Sequence, residues 1–228
     1  MVTRSPYSLN PRKMPRQARA AVTVDIIFEA TLQLLIEDGL QRLTTTRVAE
    51  RAGVSVGTLY QYFPHKESLV YALNERYLQA LAEKIEATCQ RHQGSRVGEM
   101  VEALIDTYWR AKTERVEVTR ALYLSVAELD NKPLIDAFAR RVDTSTSTML
   151  ASATDVSFAD LHAVNLTLLT VIFGAVRSMF ERNLPLSTTL ELKQQLVIMC
   201  STYLTGKHVA VVQQSGTAVS VQPKGTLS

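Results

Sequence analysis

Apolar residues recur at helical spacing along most of this chain. Ile27, Ala30 and Leu34 lie three and four apart, which predicts a helix over 23–39 with Gly39 as its C-terminal stop. Leu69, Leu73, Tyr77, Leu81 and Ile85 repeat every four residues and predict a long helix from Lys66 towards Arg91. Between them, residues 45–64, TTRVAERAGVSVGTLYQYFP, read as a short helix, a turn and a second short helix closed by Pro64. Beyond a break at Gly94 and Gly98, helices are predicted near 98–113, 116–129, 132–150, 158–182 and 189–205. Asn131 with Pro133, then 152–157, then 183–187, punctuate them. The reading is all-α with about nine helices: an N-terminal unit over 21–66 and a larger C-terminal helical domain over 67–208. VAVV and TAVSVQ alternate weakly, as strands do, but disorder is the expected state of 209–228.

The 45–64 segment has a physical logic of its own. Two short helices crossing steeply need a small residue where they touch, and Ala49 stands there. The chain must then reverse through a conformation that glycine accepts cheaply, and Gly53 stands there. Val48, Val54 and Leu59 are the apolar contacts that would lock the pair. Ser55 can cap the second helix, and Thr44 or Thr45 the first. This is the pattern of a helix-turn-helix, whose second helix enters the major groove of DNA. A helical hairpin of any all-α protein can also show an Ala and a Gly at this spacing.

The wider context separates these readings. DIIFEATLQLLIEDGLQRLTTTRVAERAGV followed by SVGTLYQYFPHKESLV resembles the TetR family of bacterial transcriptional regulators over the first third of the chain. Beyond about residue 75 the resemblance is one of architecture. It implies a DNA-reading surface at Thr45, Thr46 and Arg47, and then at Ser55, Val56, Gly57, Thr58, Tyr60, Gln61 and Tyr62. His65 and Lys66 follow at the start of the long helix, where Lys66 and a helix N-terminus would together hold a phosphate. Gln61 is a candidate adenine reader, and equally a polar surface filler. Phe63 and Leu59 are read as core.

The resemblance further implies a homodimer on a palindromic operator, joined through the last two long helices. Leu169, Ile172, Gly174, Val176, Phe180, Leu196 and Met199 are the expected interface; a buried core helix is the plainer reading of the same stripe. A small, largely apolar effector is expected in the C-terminal domain, near Tyr108, Trp109, Tyr123, Met149, His162, Asn165 and Phe173. Each of these residues fits an ordinary core as well. The function expected is a ligand-responsive repressor. The alternative is a DNA-binding regulator with no small ligand, constitutive or controlled by a partner protein.

Charge sharpens the division. Residues 1–66 carry nine Lys/Arg against five Asp/Glu, whereas 67–228 carry sixteen against seventeen. Arg4, Arg12, Lys13, Arg16 and Arg19 fall within 1–20 with no acid, a basic arm suited to phosphates or the minor groove. Cys89 and Cys200 are the only cysteines, which suits a reducing compartment. The longest apolar run, 168–176, is shorter than a bilayer span, and no leader-like segment opens the chain. A cytoplasmic protein without a membrane partner is expected. Cys89 and His92 lie a turn apart with no further ligand near them, so no metal site is expected. Glu128, Asp130 and Asp136 sit at a helix junction as caps and surface charge. With no phosphate loop and no nucleophile motif, neither an enzyme nor a bound cofactor is expected.

Overall fold

The computed structural model describes residues 18–206 and 209–211. In chain order these form α1 (Ala18–Arg42), α2 (Thr45–Ala52), α3 (Val56–Tyr62), α4 (Lys66–Arg91), α5 (Val97–Thr113), α6 (Val116–Glu128), α7 (Lys132–Ala151), β1 (Val156–Phe158), α8 (Leu161–Glu181), α9 (Leu186–Thr205) and β2 (Val209–Val211). The helix ends follow their local chemistry. Gly39 leaves helical geometry at φ 72° and breaks α1 where the stop is expected. The Thr44 hydroxyl accepts from the Arg47 N–H and caps α2, and the Ser55 hydroxyl accepts from the Thr58 N–H and caps α3. Gly53 adopts the left-handed conformation at φ 66°, and the N–H of Val54 bonds back to the Ala49 carbonyl. Lys66–Arg91 is one uninterrupted helix. At 1.5 Å per residue it spans about 39 Å.

Two apolar cores sit along α4. The first packs Ile27, Phe28, Leu34 and Leu43 of the α1 region against Val48, Ala49, Leu59, Phe63 and the start of α4 from Leu69 to Leu73. The second gathers Leu81, Ile85 and Cys89 of α4 with α5, α7, α8 and α9. α6 departs from the expected partition. Val118, Ala121 and Leu122 of α6, with Leu129 just past its end, complete the first core, although they lie in the second domain by sequence. A buried polar link reinforces this joint. The Asn74 amide donates to the Ser125 hydroxyl (3.2 Å) and to Asn131 Oδ1 (3.4 Å), while Ser125 donates to the Leu122 carbonyl (2.9 Å).

Three further corrections concern ends and strands. α1 starts at Ala18, so the last residues of the expected arm are helical; 1–17, with Arg4, Arg12, Lys13 and Arg16, lie outside the described residues. Within the expected tail, 209–211 form β2, which pairs antiparallel with β1 (Val156 opposite Val211); the remainder, 212–228, lies outside the described residues. The separator 152–157 therefore contains part of a strand, because backbone pairing satisfies groups that side-chain periodicity does not report. Finally, α8 as a whole is long and apolar enough to cross a membrane by length and composition. Here Leu168, Leu169, Ile172, Val176, Met179 and Phe180 are buried in the second core, which accounts for that composition.

Candidate nucleic-acid interface and regulatory core

The α2–α3 pair is held from beneath. Val48, Ala49, Leu59 and Phe63 have almost no exposed surface, and Phe63 meets Phe28 with ring centroids 5.6 Å apart. Of the expected contact residues, Thr46 on α2, Ser55 at the cap, and Gly57, Tyr60 and Gln61 on one face of α3 are exposed. Thr45 Oγ1 and the Tyr60 hydroxyl lie 3.1 Å apart and tie the start of α2 to α3, and the Ser55 and Thr58 hydroxyls lie 2.8 Å apart. A Cβ at Gly57 would meet only Ser55 Oγ, at an ordinary 3.7 Å. The fold therefore does not require glycine at this position; the open space outside it is where a backbone-close partner would fit.

Not every expected contact residue is free for DNA. Arg47 bonds to the Asp38 carboxylate and to the Arg42 carbonyl (2.9 Å), so its guanidinium locks α2 to the end of α1. That hydrogen bond and charge hold the Asp38 carboxyl below its usual range. Arg51 forms the neighbouring fork with Glu37 (2.9 and 2.8 Å) and likewise lowers the Glu37 carboxyl. Lys66 donates to the Leu40 carbonyl (3.1 Å), and the His65 ring caps α4 by accepting from the Ser68 N–H (3.1 Å). Val56 and Tyr62 are half-buried against the first core. Arg47, Arg51, Val56, Tyr62, His65 and Lys66 together hold the recognition unit in position. Asp38, Glu37 and the Leu40 carbonyl had no signal in the sequence, since they act across a turn rather than at helical spacing.

In the second domain the expected ligand residues separate into three groups. Tyr108, Tyr123 and Phe173 come together: Tyr108 and Phe173 have ring centroids 4.4 Å apart, and Phe173 continues to Phe138 at 5.9 Å. Trp109 and Met149 are buried in the core, and Asn165 is fully buried, while His162 is exposed on the surface of α8. The Asn165 amide donates to Asp143 Oδ1 (2.8 Å) and Ser147 Oγ (2.9 Å), whereas its Oδ1 has no partner among the described residues. The sequence reading passed over Lys112. Its ammonium lies 4.7 Å from the ring centroid of Tyr77, 5.6 Å from Tyr108 and 4.8 Å from Tyr123. Burial pushes its pKa down to about 7.

Three cavities lie outside this cluster. One of about 800 Å³ runs between α4 and α5 past Thr88, Arg91, Asp106 and Arg110. Another of about 900 Å³ runs between α5 and α9 past Glu102, Asp106, Lys193 and Ile198. A third of about 230 Å³ is walled by Tyr77, Ala111, Val118 and Thr119. None of the expected ligand residues Tyr108, Trp109, Tyr123, Met149, His162, Asn165 and Phe173 lines these three cavities: Tyr108, Trp109, Met149 and Asn165 are packed into the core, Tyr123 and Phe173 pack against it, and His162 lies on the outer surface of α8. Among the described residues, no three His, Cys, Asp or Glu side chains gather as a metal site. Burial pushes the Cys89 and Cys200 thiols up to about 11, which makes them poor nucleophiles.

The expected interface is also redistributed. Leu169, Ile172, Val176, Phe180 and Leu196 are buried in their own domain, because the inner face of α8 is the core face. Gly174 and Met199 are exposed, and with Leu166, Leu190, Ile198 and Tyr203 they leave α8 and α9 an apolar outer face.

Comparison with known proteins agrees with this layout. Residues 27–73 match the family described as bacterial regulatory proteins, tetR family, and residues 98–204 match the tetracyclin repressor-like C-terminal domain. The nucleoid occlusion factor SlmA of Actinobacillus pleuropneumoniae is 38% identical over 97 residues, 42% of this chain and 47% of that protein. The chain thus spans about half the length of the curated relatives it matches. A TetR-family regulator from Mesorhizobium loti superimposes with TM-score 0.68 at 17% identity, over 82% of this chain and 97% of that one. The regulator FadR of Bacillus subtilis, in complex with stearoyl-CoA, does so with TM-score 0.63 at 15% identity, over 77% and 96%.

Proposed function

The chain belongs to the TetR family of bacterial regulatory proteins, DNA-binding regulators of transcription, and from that premise we propose that it is a cytoplasmic, ligand-responsive repressor that binds a palindromic operator as a homodimer. The observation that carries the DNA reading is the outer face of α3. Gly57 and Gln61 are exposed on it beside Tyr60, whose hydroxyl is tied to Thr45, while Arg47, Lys66 and His65 behind it are engaged in fixing its position. Phosphate contacts fall to the hydroxyls of Thr45, Thr46, Ser55, Thr58 and Tyr60 and to the basic arm, and base reading to Gln61. The apolar outer face of α8 and α9 supports the dimer. Two-fold symmetry then sets half-sites one or more helical turns apart. FadR holds an acyl-CoA on the same fold, which supports a small-molecule effector here.

Switching would run through α4. Its first turn packs under α3, and its far half is fastened to α7 by the Arg141–Glu86 fork (2.8 and 2.7 Å). A small rotation of α4 at the regulatory end displaces α3 and changes the spacing between the two recognition helices. A second reading, a DNA-binding protein without a small effector, draws on the likeness over 97 residues to SlmA, named a nucleoid occlusion factor rather than a repressor.

Selection from random duplexes tests the proposal. The expected product is an inverted repeat bound by a dimer. Gln61→Ala should relax one position in each half-site, worth about 1–3 kcal/mol for a bidentate amide contact. A monomer on an asymmetric site, or an unaltered preference in Gln61→Ala, would sink it.

A further inference from the structure

We propose that Lys112 anchors the effector: its ammonium, boxed by Tyr77, Tyr108 and Tyr123, receives the carboxylate of an amphipathic monocarboxylate whose apolar chain lies along Phe173 and Phe138. This rests on the ligand-responsive reading above and supplies the chemistry of its ligand. Lys112 is 3% exposed, yet among the described residues no carboxylate lies within 4.0 Å of its Nζ and no acceptor takes a hydrogen bond from it. The nearby charges are otherwise engaged. Glu114 pairs with Lys84 (3.2 Å), and Arg177 and Glu181, beside Tyr123, pair with each other (2.7 Å). Cation–π contact recovers only part of what an ammonium loses on leaving water. The charged form of Lys112 is therefore one anionic group short.

The surrounding shape selects the rest of the ligand. Tyr108 touches Phe173, Phe173 touches Phe138, and both phenylalanines are only partly buried, so an aromatic row leads from the ammonium to Phe138, which lines a surface groove between α4 and α7. A cationic ligand would meet the ammonium already in place. A dianion would bring a charge that a single lysine cannot offset in this apolar surrounding.

The proposal carries a proton signature. Burial holds the pKa of Lys112 at about 7, so at pH 8 the free amine is mostly neutral. A bound carboxylate favours the ammonium, and binding takes up close to one proton. Affinity therefore falls by up to about tenfold per pH unit above pH 7.

The test titrates the full chain with decanoate, decan-1-ol and decyltrimethylammonium at pH 8, by calorimetry in phosphate and in Tris buffer. Decanoate should bind at least tenfold more tightly than the other two and take up near one proton. Lys112→Met should bind decanoate no better than decanol and lose the proton uptake, whereas Lys112→Arg should retain the preference for the acid without the proton. Equal decanoate affinity and equal proton uptake in Lys112→Met would overturn the anchor, as would preference for the ammonium probe or no binding of any probe. Operator binding separates the two levels. Release by decanoate that persists in Lys112→Met sinks the anchor alone. Proton-linked binding that leaves operator affinity untouched sinks the ligand-responsive reading and leaves the anchor standing.

Discussion

The recognition unit and the regulatory domain differ in how they treat buried polar groups. In the first, Thr31 bonds the Ile27 carbonyl (2.7 Å), Ser68 bonds the His65 ring and carbonyl, and Asn74 closes its link to Ser125 and Asn131. In the second, among the described residues, Asn165 Oδ1 is buried without a hydrogen-bond partner, the Lys112 ammonium meets only aromatic rings, and α8 and α9 leave an apolar face uncovered. A buried polar group left unpaired costs about 1–3 kcal/mol, so unpaired groups persist where something other than folding selects them. The recognition unit is chemically complete as a folded body and works through its outer face. The regulatory domain leaves groups open that the proposed second subunit outside and the proposed effector within would complete.

The largest expected effect tests the closed side. Asn74→Leu removes the partner of both Ser125 and Asn131 and should lower unfolding stability by about 2–3 kcal/mol, read from the urea midpoint at unchanged m. A loss under about 0.5 kcal/mol would mean that apolar contacts alone hold the joint.

The open side should respond with the opposite sign. Lys112→Met should stabilise the free protein by about 1–3 kcal/mol at neutral pH. The pKa of Lys112 is lowered by folding from 10.5 to about 7, so the unfolded chain binds more protons across that interval and wild-type stability rises with pH. The advantage of Lys112→Met is therefore greatest at and below pH 7 and shrinks towards pH 10.5. Paired melts at pH 6.5 and 8.5 read the difference; a pH-independent gap would contradict it.

Smaller effects separate positioning from contact on the recognition unit. Arg47→Ala breaks a half-exposed bridge and should cost less than about 1 kcal/mol of stability. The slope of operator affinity against salt should stay the same; a slope shallower by about one would show that Arg47 leaves Asp38 for a phosphate. Gly57→Ala should be the mildest for the fold, raising stability by at most about 1 kcal/mol because alanine suits a helix better. Operator affinity should nevertheless drop, since the added methyl points into the open space. Unchanged affinity would move the close approach elsewhere.

Much of this was legible along the chain. α4 runs from Lys66 to Arg91 as its stripe at spacing four predicts, and α5 to α9 fall within a few residues of their punctuation by Gly, Pro and Asn. The exposed face of α3 was legible too, because the helix-turn-helix is a local motif whose outer face follows once the inner one is assigned. Arg47 and Lys66 were harder. A basic side chain near DNA and one bonded to Asp38 or to the Leu40 carbonyl are the same letters, and only the fold places the acceptor.

By itself the sequence determined the helices, their order and the recognition unit, because caps, breakers and periodicity act over a few residues. Periodicity says which residues share a face; it does not say what covers that face. Only the tertiary structure decided that α6 joins the first core, that Leu169, Ile172 and Val176 turn inward while Ile198 and Met199 turn outward, and that three tyrosines from α4, α5 and α6 close around Lys112. Those outcomes depend on packing between elements far apart in the chain, where burial and desolvation are set by neighbours that no local pattern names.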